Sequence, residues 1–231
     1  MSIFRTVYLD CPACGTAVSY ELVHSVNAGR RPDLRDEILD GTFQRATCPS
    51  CQRAFRLDPE FIYLDLPSRL YIAVWPTNQR SNWRDCAART RATFEKSMGE
   101  QAPAEARELA NGVDVRAVFG WHALVEKILA RQAGIDDRTL EVAKLAVMRF
   151  EEEVPMPGSA ELRLVALRDG DLMMSWVGAA SGGNDEEAPL LRVPRQLIAD
   201  IEADPATWAS ARERAVEGDV VDFQREALAA A

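Results

Sequence analysis

With 231 residues, 47% apolar content and a formal net charge of −9, the chain can bury a sizeable core in one large domain or two to three small ones. It has no uncharged apolar run of the ~18 residues that a transmembrane helix needs, and MSIFRTVYLD is too short and too charged for a secretory signal, so a cytoplasmic protein without a membrane partner is expected. Residues 1–150 are nearly neutral, with 20 Lys+Arg against 19 Asp+Glu, whereas residues 151–231 hold 7 against 17, and no segment has the basic footprint usual in nucleic-acid binders.

Thr6 to Leu9 reads as a short strand that runs into the turn Cys11-Pro-Ala-Cys14. Pro12 pre-sets φ in that turn, and Gly15 can take the left-handed backbone that such turns demand. Ala17 to Leu22 reads as the strand that leaves it. A short helix is expected next, with Pro32 in its first turn, an apolar stripe of Leu34, Ile38 and Leu39, and Gly41 as its terminator. Phe43 to Ala46 then enters a second turn, Cys48-Pro-Ser-Cys51, and Ala54 to Leu57 leaves it. Gln52 stands where the first turn has a glycine, and positive φ there would cost on the order of 1 kcal/mol.

FIYLDL and RLYIAVW, rich in β-formers, predict a hairpin turning at Pro67-Ser68, and the first unit is expected to end near Pro76-Thr77. Ser81 is placed to cap a helix reaching Met98, with Trp83, Cys86, Ala87, Phe94 and Met98 on one face. Cys86 on that face reads as a buried, inert thiol. PAEARELANGVDVRAVFG follows from Pro103, with a break at Gly112. Trp121–Gln132 and Thr139–Glu151 predict an αα-hairpin punctuated by Gly134 and Asp136-Asp137. Leu124/Ile128 and Val125/Leu129 pair on its first helix, and Leu140, Ala143, Val147 and Phe150 form the stripe of its second.

VPMPGSA, 154–160, reads as a linker. ELRLVALRDGDLMMSWVG is a hairpin signal centred on Asp169-Gly170, SGGNDEEA at 181–188 an acidic loop, and PLLRVP a third strand. RQLIADIEA and PATWASARERAV are helical, Trp176 and Trp208 are assigned to the core of this region, and the last ten residues are expected to fray. The fold class is thus α+β, in three parts: a ribbon over 1–76, a helical region over 77–153 and an acidic hairpin-plus-helix region over 154–231.

The chemistry lies in the paired turns. Cys11, Cys14, Cys48 and Cys51 form C-x2-C, a 33-residue gap and C-x2-C. Each turn aims two sulfurs at one point, and two turns complete a four-coordinate thiolate shell. Zn²⁺ suits it, and iron fits the same cage. A thioredoxin-like pair needs a βαβ setting and disulfides suit a secreted chain, and neither context is present. A catalytic zinc keeps one position open, whereas four cysteines close the shell, so the ion is read as structural. His24 and His122 are poor ligand candidates. There is no phosphate-binding glycine loop, no H-E-x-x-H and no G-x-S-x-G, and the acidic run 151–153 reads as a solvated helix end.

These residues resemble the CpXC family, named for two Cys-Pro-x-Cys motifs, here CPAC at 11–14 and CPSC at 48–51. VNAGRRPDLRDEILDGTF between them and FIYLDLPSRLYIAVWP after them are similar to the family pattern, as is 119–145 to the helices of longer members. Gln52, where a glycine often follows, departs from it. The family has no assigned molecular function, so the resemblance implies the four metal ligands and no activity. The expected function is a non-enzymatic binding or adaptor protein with structural zinc, whose partner is another protein. Two alternatives differ in class. A nucleic-acid-binding ribbon would use Arg80 to Arg91 with Arg45, Arg53 and Arg56 as a basic strip. An enzyme would place a deep cleft with perturbed acids between the middle and C-terminal regions.

Overall fold

The computed structural model describes residues 2–151, 154–156, 158–178 and 189–229. The loop expected at 181–188, and Glu152 and Glu153 of the acidic run, lie outside the described residues. Strands β1 (Ile3–Asp10) and β2 (Ala17–Asn27) pair antiparallel around the first cysteine turn. Helix α1 (Pro32–Leu39) begins on its proline and is followed by Gly41 at φ 77°. Strands β3 (Arg45–Thr47) and β4 (Ala54–Arg56) pair antiparallel around the second turn. Strands β5 (Phe61–Asp65) and β6 (Leu70–Trp75) form the expected hairpin.

A 3₁₀ turn, Thr77–Asn82, then leads into α2 (Trp83–Ser97). Ser81 therefore does not cap α2: it lies within the 3₁₀ turn, and Asn82 at the boundary makes no side-chain cap bond. After α3 (Ala104–Leu109) comes β7 (Asp114–Phe119), which pairs parallel with β6. The region read from sequence as helical thus contributes the fifth strand of the main sheet, ordered β1-β2-β5-β6-β7. Arg116 interrupts the apolar run of this strand and disguises it; its side chain is nevertheless buried, because Asp137 pairs with it.

Helices α4 (Trp121–Gln132) and α5 (Asp137–Phe150) form the αα-hairpin. Strands β8 (Ala160–Arg168) and β9 (Asp171–Gly178) turn through Asp169 and Gly170 at φ 52° and 85°, the paired left-handed residues of a type I′ turn. Strand β10 (Leu190–Val193) joins β9. Helices α6 (Gln196–Ala203) and α7 (Ala209–Ala215), the short hairpin β11 (Val216–Glu217) and β12 (Val220–Val221), and α8 (Arg225–Ala229) complete the described chain.

The αα-hairpin lies between two sheets. Leu124 and Ile128 pack with Phe61, Val74 and Val118 of the main sheet. Leu129, Ala130, Leu140 and Ala143 pack with Leu162, Leu164, Leu172 and Met174 of the smaller one. The two i,i+4 pairs read on α4 therefore serve different layers. On the opposite face of the main sheet, α2 sets Trp83 and Cys86 against Trp75, and Phe94 edge-on to Tyr71. Trp176 and Trp208 are half-buried against the second cluster. Phe150 does not join the α5 stripe: it is 85% exposed at the helix end. Nor do the last ten residues fray throughout, since Asp222, Phe223 and Gln224 are bonded to the core.

Asp136 caps α5, accepting from the backbone N–H groups of Arg138 and Thr139 at 3.0 and 3.2 Å. Asp136→Ala is expected to lower stability by about 1 kcal/mol, read as a shift of the urea midpoint at constant slope. An unchanged midpoint would refute the cap.

Candidate metal centre

The two cysteine turns are built alike. In the first, Cys11 N–H donates to Thr16 O at 2.9 Å and Gly15 N–H to Cys11 O at 2.9 Å. In the second, Cys48 N–H donates to Arg53 O at 3.0 Å and Gln52 N–H to Cys48 O at 2.8 Å. Gly15 and Gln52 occupy the same place in this pattern, at φ 70° and 60°. The mild strain expected at Gln52 is therefore present. Its side-chain amide donates to Pro49 O at 3.0 Å, a bond that glycine could not make and that offsets part of the strain.

Two contacts hold the turns in register. Tyr20 on β2 meets Phe55 on β4 edge-on, with centroids 5.4 Å apart. The Gln44 side chain bonds the β2 backbone twice, accepting from Val23 N–H and donating to Glu21 O, both at 3.1 Å. The four sulfurs consequently converge within 4.8 Å of one another. Cys11 and Cys51 are 3.7 Å apart, and Cys14 and Cys48 3.8 Å. A tetrahedral ion with metal–sulfur bonds of about 2.3 Å requires sulfur–sulfur edges of about 3.8 Å, so the donor set fits such an ion. Cys11 and Cys48 are buried, and Cys14 and Cys51 face outward. Neither histidine belongs to the cluster.

The two exposed thiols differ in their electrostatics. The Thr16 side chain and backbone beside Cys14 lower its thiol to about 6. Cys51 accepts a backbone bond at Arg53 that lowers its thiol, but desolvation and the three neighbouring sulfurs outweigh it and push it up to about 12. Four thiolates at this spacing repel one another, and a bound cation removes that repulsion.

A profile described as CpXC protein matches residues 9–144, which include both cysteine turns, the main sheet apart from most of β1, and most of the αα-hairpin. The chain belongs to the CpXC family. No curated protein and no solved structure matches it.

The structure also holds a feature that sequence reasoning missed, partly inside the CpXC match and partly beyond it. A charge network, buried almost throughout, joins α4 and α5 to β8 and the C-terminal segment. Lys144 Nζ lies 3.0 Å from Glu126 Oε1 and 2.7 Å from Glu141 Oε1. Arg163 Nη1 donates to Glu126 at 2.8 Å, its Nη2 to Asp222 at 2.6 Å, and its Nε to Glu161 at 2.8 Å. Glu161 also pairs with Arg80. Lys127 Nζ lies 3.2 Å from Asp137, which Arg116 grips through two nitrogens. One signal was available: the sequence has only three lysines, and two of them, Lys127 and Lys144, are in this network.

Burial raises Glu126, Asp137, Glu141 and Asp222, and the local charges decide the outcome. Lys144 and Arg163 outweigh desolvation at Glu126 and hold it below the usual range. Arg163 and Lys144 do the same for Asp222, and Lys127 and Arg116 for Asp137. At Glu141 desolvation, together with Asp222 and Glu126, prevails over Lys144 and Lys127, and the group is pushed up to about 7. Perturbed acids thus converge between the middle and C-terminal regions, as the enzyme alternative requires; Glu126 and Glu141 are fully buried, whereas Asp137 lines an open cleft. The cavity beside Lys127, Arg163 and Asp222 measures only about 20 Å³, room for a single water. A cleft of about 290 Å³ reaches Arg116, Lys127 and Asp137 from the other side.

The basic strip is largely neutralised by acidic partners. Arg84 pairs with Glu217 and Glu226, Arg89 with Glu60, and Arg91 with Asp219 and Glu95. Arg56 lies 4.1 Å over the Trp121 ring, and desolvation, assisted by Arg45, lowers it to about 10.

A carboxyl raised in the folded state contributes stability below its unfolded pKa and loses it as pH rises through the folded value. Glu141 therefore costs stability between about pH 4.5 and 7, on the order of 3 kcal/mol. Asp137 and Asp222, both depressed, act oppositely, withdrawing stability as pH falls below the ordinary carboxylate range. Urea unfolding from pH 5 to 8 should show declining stability, and Glu141→Gln should flatten that decline. Parallel pH profiles for the two proteins would refute the assignment, and any pH effect on metal binding is common to both.

Proposed function

We propose that this CpXC chain is a zinc-binding, non-enzymatic module that binds another protein, with the ion in a structural role. The carrying observation is the closed donor set: four sulfurs from two matched turns lie within 4.8 Å of one another. A four-cysteine shell offers no position for water or substrate. Tetrahedral thiolate coordination favours Zn²⁺, and reduced thiol ligands suit the cytoplasm. None of the described helices is long and apolar enough to cross a membrane.

Protein rather than nucleic acid is supported as the partner by the pairing of the arginine strip with acids and by the acidic excess of residues 151–231. The full burial of Glu126 and Glu141 supports a structural role for these two carboxyls over acid–base catalysis.

Metal analysis of protein purified without added zinc should find one zinc per chain, and iron or a sub-stoichiometric content would overturn the zinc assignment. Cys11→Ser with Cys48→Ser should lower the melting temperature by roughly 10 °C or more, about the effect of losing ~3 kcal/mol in a chain this size. Affinity capture from the native host tests the binding role: a specific protein should be recovered with the zinc-loaded chain and lost with the cysteine variant. Recovery of nucleic acid alone would overturn that role.

A further inference from the structure

The segment from Val216 to Gln224 sits on the rest of the molecule as a ligand sits in a site. Val220 and Val221 are 2% and 1% exposed, and Val220 enters the cluster formed by Trp75, Trp83, Ala117 and Phe119. The backbone docks on β7, the edge of the main sheet, where Ala117 N–H donates to Asp219 O at 2.9 Å. Charges on both sides fix the register. The Asp219 carboxylate pairs with Arg91. Lys127 Nζ donates to Val221 O at 2.7 Å, and Arg163 to the Asp222 carboxylate at 2.6 Å. Phe223 N–H donates to Glu141 at 3.2 Å. The pattern is acid, two valines, acid, laid along a strand edge over an apolar floor with cations at each end.

The occupant does not hold this shape by itself. Its hairpin has two residues per strand, far below what is stable alone in water. The pairs of Arg84 with Glu217 and Glu226 are exposed and contribute little, whereas Asp222 and Gln224 are held inside by Arg163 and Leu162. It also lies outside the region that the CpXC profile matches.

We propose that this edge groove is a docking site for an extended acidic–aliphatic–acidic segment of a partner protein, held in cis by residues 216–224 until such a segment displaces them. The proposal rests on the reading of the chain as a protein-binding module and specifies the site and the partner's chemistry. Recognition is by strand addition: main-chain bonds to β7 give affinity, and the apolar floor with Arg91, Lys127 and Arg163 gives selectivity.

The test uses the full chain with Val220→Ser, which weakens the cis occupant and leaves the groove intact, and a fluorescent peptide of sequence VEGDVVDFQ. The peptide should bind this variant at least tenfold more tightly than the intact chain, since cis occupancy reduces apparent affinity by the closed fraction. A peptide with both aspartates replaced by lysine should not bind. Failure of the first peptide to bind a variant of native near-ultraviolet dichroism, or equal binding of both, overturns the proposal.

Hydrogen exchange on the intact chain covers the case in which the variant does not fold. The amides of Ala117 and Phe223 should exchange at least tenfold faster than those of α4, and exchange at one common rate would show that the segment opens only on global unfolding and would refute displacement. Sedimentation that revealed dimers exchanging this segment would make a second copy the occupant and overturn the partner assignment. None of these measurements needs a cellular partner, so their failure is distinct from an empty affinity capture.

Discussion

Helix α4 has no solvent face. None of residues 121–131 is exposed, because the main sheet covers one side and β8 the other. A helix buried all round is ordinarily apolar, yet this one carries Glu126 and Lys127 at its centre. Leaving either unpaired would cost several kcal/mol. Much of the architecture answers that demand: α5 supplies Lys144 and Asp137, β8 supplies Arg163, and the C-terminal segment brings Asp222 to Arg163 and a carbonyl to Lys127. The C-terminal region is therefore tied to the αα-hairpin by charge as well as by the apolar cluster around Leu140 and Leu164.

The four-cysteine cluster solves a different problem. β3 and β4 have three residues each and cannot bury much apolar surface, so the second turn depends on its convergence with the first and on the contacts of Phe55 and Gln44 with β2. The ion would contribute what a core contributes elsewhere. The body, with its two sheets and helical layer, has its own apolar clusters.

What was legible followed the range of the interaction. The two cysteine turns, their flanking strands, the hairpins at Pro67-Ser68 and Asp169-Gly170 and the αα-hairpin are each written within a few residues, as turn chemistry and periodicity. Strand β7 was not, because Arg116 breaks its pattern and is buried only through Asp137, twenty-one residues away. The misplacement of the cap at Ser81 came from reading a 3₁₀ turn as the start of α2. The charge network was least visible. Glu126 and Arg163 are thirty-seven residues apart, and Glu126 and Lys144 face each other from different helices. Nothing local distinguishes such side chains from those of a solvated face, and only the scarcity of lysine set Lys127 and Lys144 apart.

Trp121 joins the two halves of this design. Its indole N–H donates to Leu57 O at 2.9 Å, the Arg56 guanidinium covers one face, and Phe43 and Phe61 close on it from the sides. Phe43, Arg56 and Leu57 belong to the approach to the second cysteine turn and the exit from it, whereas Trp121 begins α4. The four-cysteine end is thus keyed to the helical layer through this ring as well as through β1 and β2 of the main sheet. Anything gripping the cysteine turns and anything gripping the β7 edge would be held at a set distance and bearing, and the molecule would act between them as a ruler rather than a tether.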